Sequence, residues 1–133
     1  MKTLILVTVF LMLARVLLAP EARKFFVEKA EKIDPYKAIL KAMATVESSN
    51  NTYAYNPTEQ STGLYQIRPI RLRDYNRRTG EHLKMNDMYN PAKAERVIRF
   101  YCHQYGPYRA KEFIKSWNCN SEKYYQKVKK AML

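Results

Sequence analysis

From Tyr36 onward, apolar residues recur at three- and four-residue spacing. Tyr36, Ile39, Leu40, Met43 and Val46 form one stripe, while Lys37 and Lys41 fall on another face. This predicts a helix with Asp34 as its N-cap and Pro35 in the first helical position, stopped by the turn-forming run Ser48-Ser49-Asn50-Asn51. An ordered loop should follow to Gly63, then a helix over 68–78 that stops at Gly80. Asn90-Pro91 opens a longer helix with Ala94, Val97, Ile98, Tyr101, Cys102 and Tyr105 inward, ended by Gly106. Two shorter helices, over 107–117 and 121–132, complete the chain. No run alternates apolar and polar residues long enough to claim a sheet, so the class is mainly α.

The segment ahead of this core has a different pattern. Residues 3–19 are apolar on every face apart from Arg15, which predicts an N-terminal hydrophobic helix serving as a secretory signal or a membrane anchor. Leu17 and Pro20 suit cleavage after Ala19 poorly, whereas Arg23, Lys24, Lys29 and Lys32 on the far side suit an anchor poorly. A buried helix of the domain is the third reading of that run. A charged helix is expected over 22–32, and residues 20–133 are read as one domain.

Composition agrees with a single packed core. The 133-residue chain is 47% hydrophobic, with eleven tyrosines, five phenylalanines and one tryptophan. Its net charge of +12 should draw it to polyanions, among them wall polymers, nucleic acid and anionic lipid. The densest basic stretch, Arg68, Arg71, Arg73, Arg77, Arg78 and Lys84 around Tyr75, has no nucleic-acid motif framing it and reads as a solvated face; no specific nucleic acid is expected. Cys102, Cys119, His82 and His103 lack metal-ligand spacing, so neither a metal nor a cofactor is assigned. The two cysteines are read either as a disulfide, if the domain is exported, or as small core residues.

The candidate chemistry centres on Glu47. It lies on the stripe of Tyr36, Leu40 and Met43 at the end of a helix, beside a polar loop. A carboxyl buried there must find partners or hold its proton, and a proton held near neutral pH is what a general acid needs. A boundary glutamate turned to water is the alternative.

The residues from Glu47 to Ile67 carry a resemblance. Glu47-Ser48, then Ala54-Tyr55-Asn56-Pro57, then Ser61-Thr62-Gly63-Leu64-Tyr65-Gln66-Ile67 with Pro69 beyond, resemble the lytic transglycosylase family related to goose-type lysozyme. Asp87-Met88-Tyr89-Asn90-Pro91 looks like that family's lead into its next core helix, and Trp117-Asn118 with Tyr124 and Val128 like its closing motif. The chain departs from the pattern at Asn120, where the family has glycine, and at Ala94, Val97 and Ile98, where the family's Asn and Gly are not evident. Asparagine tolerates the left-handed conformation such a turn needs.

The resemblance implies a lysozyme-like helical domain acting outside the cytoplasm on peptidoglycan glycan strands, with the membrane engaged, if at all, through residues 3–19. It implies cleavage of the MurNAc–GlcNAc β-1,4 bond, with Glu47 first protonating the leaving oxygen and then taking the proton of the C6 hydroxyl that closes a 1,6-anhydro sugar. An inverting hydrolase would need a second carboxylate. Glu59 is the sole acid in the intervening loop and is read as facing solvent. The same resemblance marks Ser48, Gly63, Tyr65, Gln66, Asn118 and Tyr124 as substrate-binding. For Ser48 backbone capping is the rival role, and for Tyr65 and Tyr124 core packing. A peptidoglycan-hydrolysing lysozyme and a non-catalytic, basic, membrane-tethered wall-binding protein are the other readings of the chain.

Overall fold

The computed structural model describes residues 33–133, of which 35–133 form one compact unit. The apolar segment 3–19, the helix expected over 22–32 and the domain start at residue 20 lie outside the described residues. Among the described residues no helix is long and apolar enough to cross a membrane.

Helix α1 runs Lys37–Ser48 and buries Ile39, Leu40 and Met43, the stripe its spacing predicts. It starts later than Asp34-Pro35 implied. Tyr36 occupies the N-cap position, and the first helical bond is from Leu40 N–H to the Tyr36 carbonyl at 2.9 Å. The Tyr36 ring is buried edge-on to His103, so packing sets the entry in place of a side-chain cap.

Strands β1 (Tyr55–Asn56) and β2 (Ser61–Thr62) pair antiparallel, Tyr55 with Thr62 and Asn56 with Ser61, within the segment expected to be loop alone. A further bridge joins Thr62 to Ile67. Helix α2 (Pro69–Thr79) closes on Gly80 at φ 76°. A 3-10 turn, Met85–Tyr89, leads to α3 (Pro91–Tyr105), where the Asn90 side chain accepts from the N–H groups of Ala92 and Lys93. A short 3-10 turn at Pro107–Arg109 precedes α4 (Ala110–Trp117), and α5 (Glu122–Ala131) begins with the Ser121 hydroxyl accepting from Tyr124 N–H. Each cap satisfies backbone donors that a helix start leaves open.

The core gathers Met43 of α1, Ile67, Met88, Ile98 of α3, Phe113 of α4 and Val128 of α5. Helix α1 packs most extensively on α5, which also meets α4. That pairing brings the end of α1 against the start of the last helix. Cys102 is in the core and Cys119 at the surface, and neither is in a disulfide.

Candidate active site

Helix α1 ends where Ser49 (φ 53°) and Asn50 (φ 63°) turn left-handed. Asn50 N–H reaches back to the Ala44 carbonyl at 3.2 Å and Ser49 N–H to that of Thr45 at 3.0 Å, which satisfies the last carbonyls of the helix. Glu47 is thereby held on the final turn, partly buried. The Tyr124 hydroxyl, from the first turn of α5, donates to its Oε1 at 2.6 Å.

Burial pushes the Glu47 carboxyl above its ordinary value, and the Tyr124 bond opposes it. Arg68 and Arg71 also favour the carboxylate, while Glu59 favours the acid. The Tyr124 phenol is in turn driven well above the usual tyrosine range by burial and by the Glu47 charge, so it remains a donor at physiological pH. Glu59, with its side chain 44% exposed, is tied to Arg68 at 3.1 Å.

The other marked residues divide into two groups. Ser48 donates to the Leu64 carbonyl at 2.8 Å, with the Ala44 carbonyl at 3.1 Å, so its hydroxyl pins α1 to the Gly63–Ile67 turn. Gln66 has φ 47°; its amide donates to the carbonyls of Ala54 (3.2 Å) and Gly63 (3.0 Å) and accepts from the Ser61 hydroxyl (2.8 Å). Gly63 has φ 78°, and a Cβ there would stand 2.0 Å from the Met88 carbonyl oxygen. Its close neighbour is therefore backbone of the same chain. The Tyr65 ring is buried, its hydroxyl pushed up to about 12 by burial and by the Glu95 charge. These four build and pin the hairpin beside Glu47. Asn118, partly exposed at the end of α4, has no side-chain hydrogen bond among the described residues and is free to meet a ligand. Cys119 (φ 48°) and Asn120 (φ 58°) complete its turn, the left-handed state expected of Asn120.

Residues 24–125 match the family described as Transglycosylase SLT domain. The chain belongs to that family. Neither the curated proteins nor the solved structures offer a match. Membership supports a lytic-transglycosylase type of activity with peptidoglycan as the partner, and the helical architecture of this SLT domain agrees with a lysozyme-like fold.

Sequence reasoning passed over Arg71. The basic stretch reads as a solvated face, yet the Arg71 guanidinium lies over the rings of Trp117 (4.2 Å) and Tyr101 (4.9 Å). Arg68, Arg77 and Arg78 are spent on ion pairs with Glu59 and Asp74. The signal was its spacing: Arg71 stands one turn before Tyr75, on the side of α2 that buries Leu72 and Tyr75. Among the described residues no group of His, Cys, Asp and Glu is arranged to hold a metal ion.

Proposed function

We propose that this SLT domain cleaves the β-1,4 bond between N-acetylmuramic acid and N-acetylglucosamine and leaves a 1,6-anhydro sugar, with Glu47 as the one catalytic carboxyl. The observation that carries the reading is the Glu47 carboxyl itself: half-buried, pushed toward its protonated form by burial, and hydrogen-bonded by the Tyr124 hydroxyl at 2.6 Å. An acid kept protonated can give its hydrogen to the departing glycosidic oxygen. The carboxylate that remains, already bonded to Tyr124, then takes the C6 hydroxyl proton as that oxygen closes on the anomeric carbon. The substrate's acetamido group stabilises the positive charge in between, so no second enzyme carboxylate is required. Glu59 is spoken for by Arg68, which favours ring closure over activation of a water. Asn118 is assigned to the substrate, and Ser48, Gly63, Tyr65 and Gln66 to the wall that shapes the groove. The reaction places the domain in the cell envelope, where the glycan strands lie.

Digestion of purified peptidoglycan followed by mass spectrometry tests this. Anhydro-muropeptides that vanish in Glu47→Gln are expected. Reducing ends carrying oxygen from labelled water would assign hydrolysis instead, and binding without any product would assign a wall-binding protein.

A further inference from the structure

Tyr53 and Tyr89 form an aromatic pair at the surface. Their rings lie near-parallel, 28° apart with centroids at 6.1 Å, and Tyr53 is 78% exposed. Single exposed tyrosines are ordinary, and Tyr108, fully exposed after Gly106, meets no other ring among the described residues. Tyr53 differs because its backbone is fixed. Asn51 N–H donates to the Ser48 carbonyl at 3.0 Å, and the Asn51 side chain accepts from Tyr53 N–H at 2.9 Å. The loop is pinned and the ring rests on Tyr89, yet most of its surface is left to water, an arrangement that gains little for folding.

Both rings are rooted beside the hairpin that adjoins Glu47. Gly63 packs against the two segments that carry them: a Cβ on it would stand 2.0 Å from the Met88 carbonyl oxygen and 3.6 Å from that of Thr52. Tyr89 follows Met88, and Tyr53 follows Thr52. The missing Cβ thus lets two tyrosine-bearing backbones close on the hairpin. Leu64, next after Gly63, accepts from the Ser48 hydroxyl at 2.8 Å, and Ser48 adjoins Glu47. Through the Ser48–Asn51 turn, the Tyr53 Cα lies no more than about 18 Å from that of Glu47, a span that a short oligosaccharide covers.

We propose that Tyr53, backed by Tyr89, is a stacking subsite for a sugar ring of the glycan strand, away from the bond that meets Glu47. A β-1,4-linked N-acetylhexosamine turns C–H groups to its faces and its hydroxyl and acetamido groups to its rim. Such a face suits the electron-rich face of a tyrosine, while the rim needs polar partners. Asn51 and Asn56 can supply them. Each spends its side-chain oxygen on a backbone N–H, of Tyr53 at 2.9 Å and of Thr58 at 3.0 Å, and among the described residues the amide nitrogens have no acceptor. Rings with polar donors beside them favour a sugar over an apolar partner. The inference rests on peptidoglycan glycan being the ligand of this domain, not on Glu47 being its acid.

The test is calorimetric binding of soluble glycan strands, stripped of their stem peptides by an amidase, to the full chain carrying Glu47→Gln. High salt screens the attraction of this basic chain to the lactyl carboxylates. In that background Tyr53→Ala and Tyr89→Ala should each raise Kd roughly tenfold, the weight of an aromatic anchor. Tyr53→Phe keeps the ring face and should stay within about twofold of the parent, as should Tyr108→Ala. Tyr53 is exposed, so its alanine variant folds, and near-UV circular dichroism checks the Tyr89 variant. With Glu47 intact, Tyr53→Ala should raise KM and leave kcat nearly unchanged, the mark of binding shared by ground and transition states. An unmoved Kd in both alanine variants would overturn the proposal. So would equal weakening by Tyr108→Ala, equal weakening by Tyr53→Phe, or no binding of the strands by the parent. Failure of the enzymatic reading looks different: the strands bind through Tyr53, and the domain with Glu47 intact releases no product.

Discussion

The Tyr124 hydroxyl and the Glu47 carboxyl, 77 residues apart in the chain, meet at 2.6 Å where α5 crosses the end of α1. The bond favours the carboxylate and so restrains the rise that burial imposes. Tyr124→Phe removes that restraint and leaves the ring's packing in place. The alkaline limb of activity should then move to higher pH, because Glu47 keeps its proton longer. Turnover should fall roughly tenfold to a hundredfold, because Glu47 then gives up its proton less readily in the acid step and loses the bond that orients it. A pH–rate profile with an unmoved limb would show that the hydroxyl serves packing only.

Glu47 also makes stability depend on pH in a defined sense. Its folded value lies above the ordinary 4.5, so the folded state binds this proton more tightly than the unfolded chain does. The contribution is complete below about 4.5 and is lost as pH rises through the folded value. Glu47→Gln does not titrate. Its melting temperature should therefore gain on wild type from pH 4.5 upward, then run parallel once wild-type Glu47 is ionised. Thermal melts of both proteins across that range decide it; a constant difference would mean that Glu47 titrates alike in the two states.

Gln66 separates framework from substrate contact. Its amide bonds to Ala54, Gly63 and Ser61, which leaves little capacity for a sugar. Gln66→Ala should cost about 2–4 kcal/mol, since partly buried partners lose their bonds together. Denaturant unfolding measures that loss. Full stability with a collapsed kcat would place the amide on the substrate instead.

Long periodic helices were legible from residue spacing alone, as in α1 and α3, because buried faces repeat every three to four positions and Asn90 supplies a recognisable cap. The β1–β2 pair was not, since strands of two residues leave no alternation to detect. Arg71 was misread for a related reason: charge in sequence argues for solvent, and stacking on Trp117 appears only once α2 and α4 are brought together. Asn120 was legible in conformation, because asparagine tolerates a left-handed turn.

Gly63 shows a requirement visible in sequence whose cause lay elsewhere. The resemblance marks Gly63 as substrate-binding; the atom its missing Cβ admits is the Met88 carbonyl oxygen, and its N–H is bonded to the Ala54 carbonyl at 2.8 Å. Gly63→Ala adds a Cβ 2.0 Å from that oxygen, at φ 78°, where alanine is itself strained. The obstacle is backbone, not a flexible side-chain end, so either the hairpin or the 3-10 turn must shift. A loss of roughly 3–5 kcal/mol is expected, the upper end for single substitutions. Urea unfolding should show the midpoint falling with its slope unchanged. Because Ser48 is bonded to Leu64, the displacement reaches the end of α1, and turnover should fall even in the fraction that stays folded. Stability close to wild type would mean that the two backbones are not held together as tightly as the packing around Met88 requires.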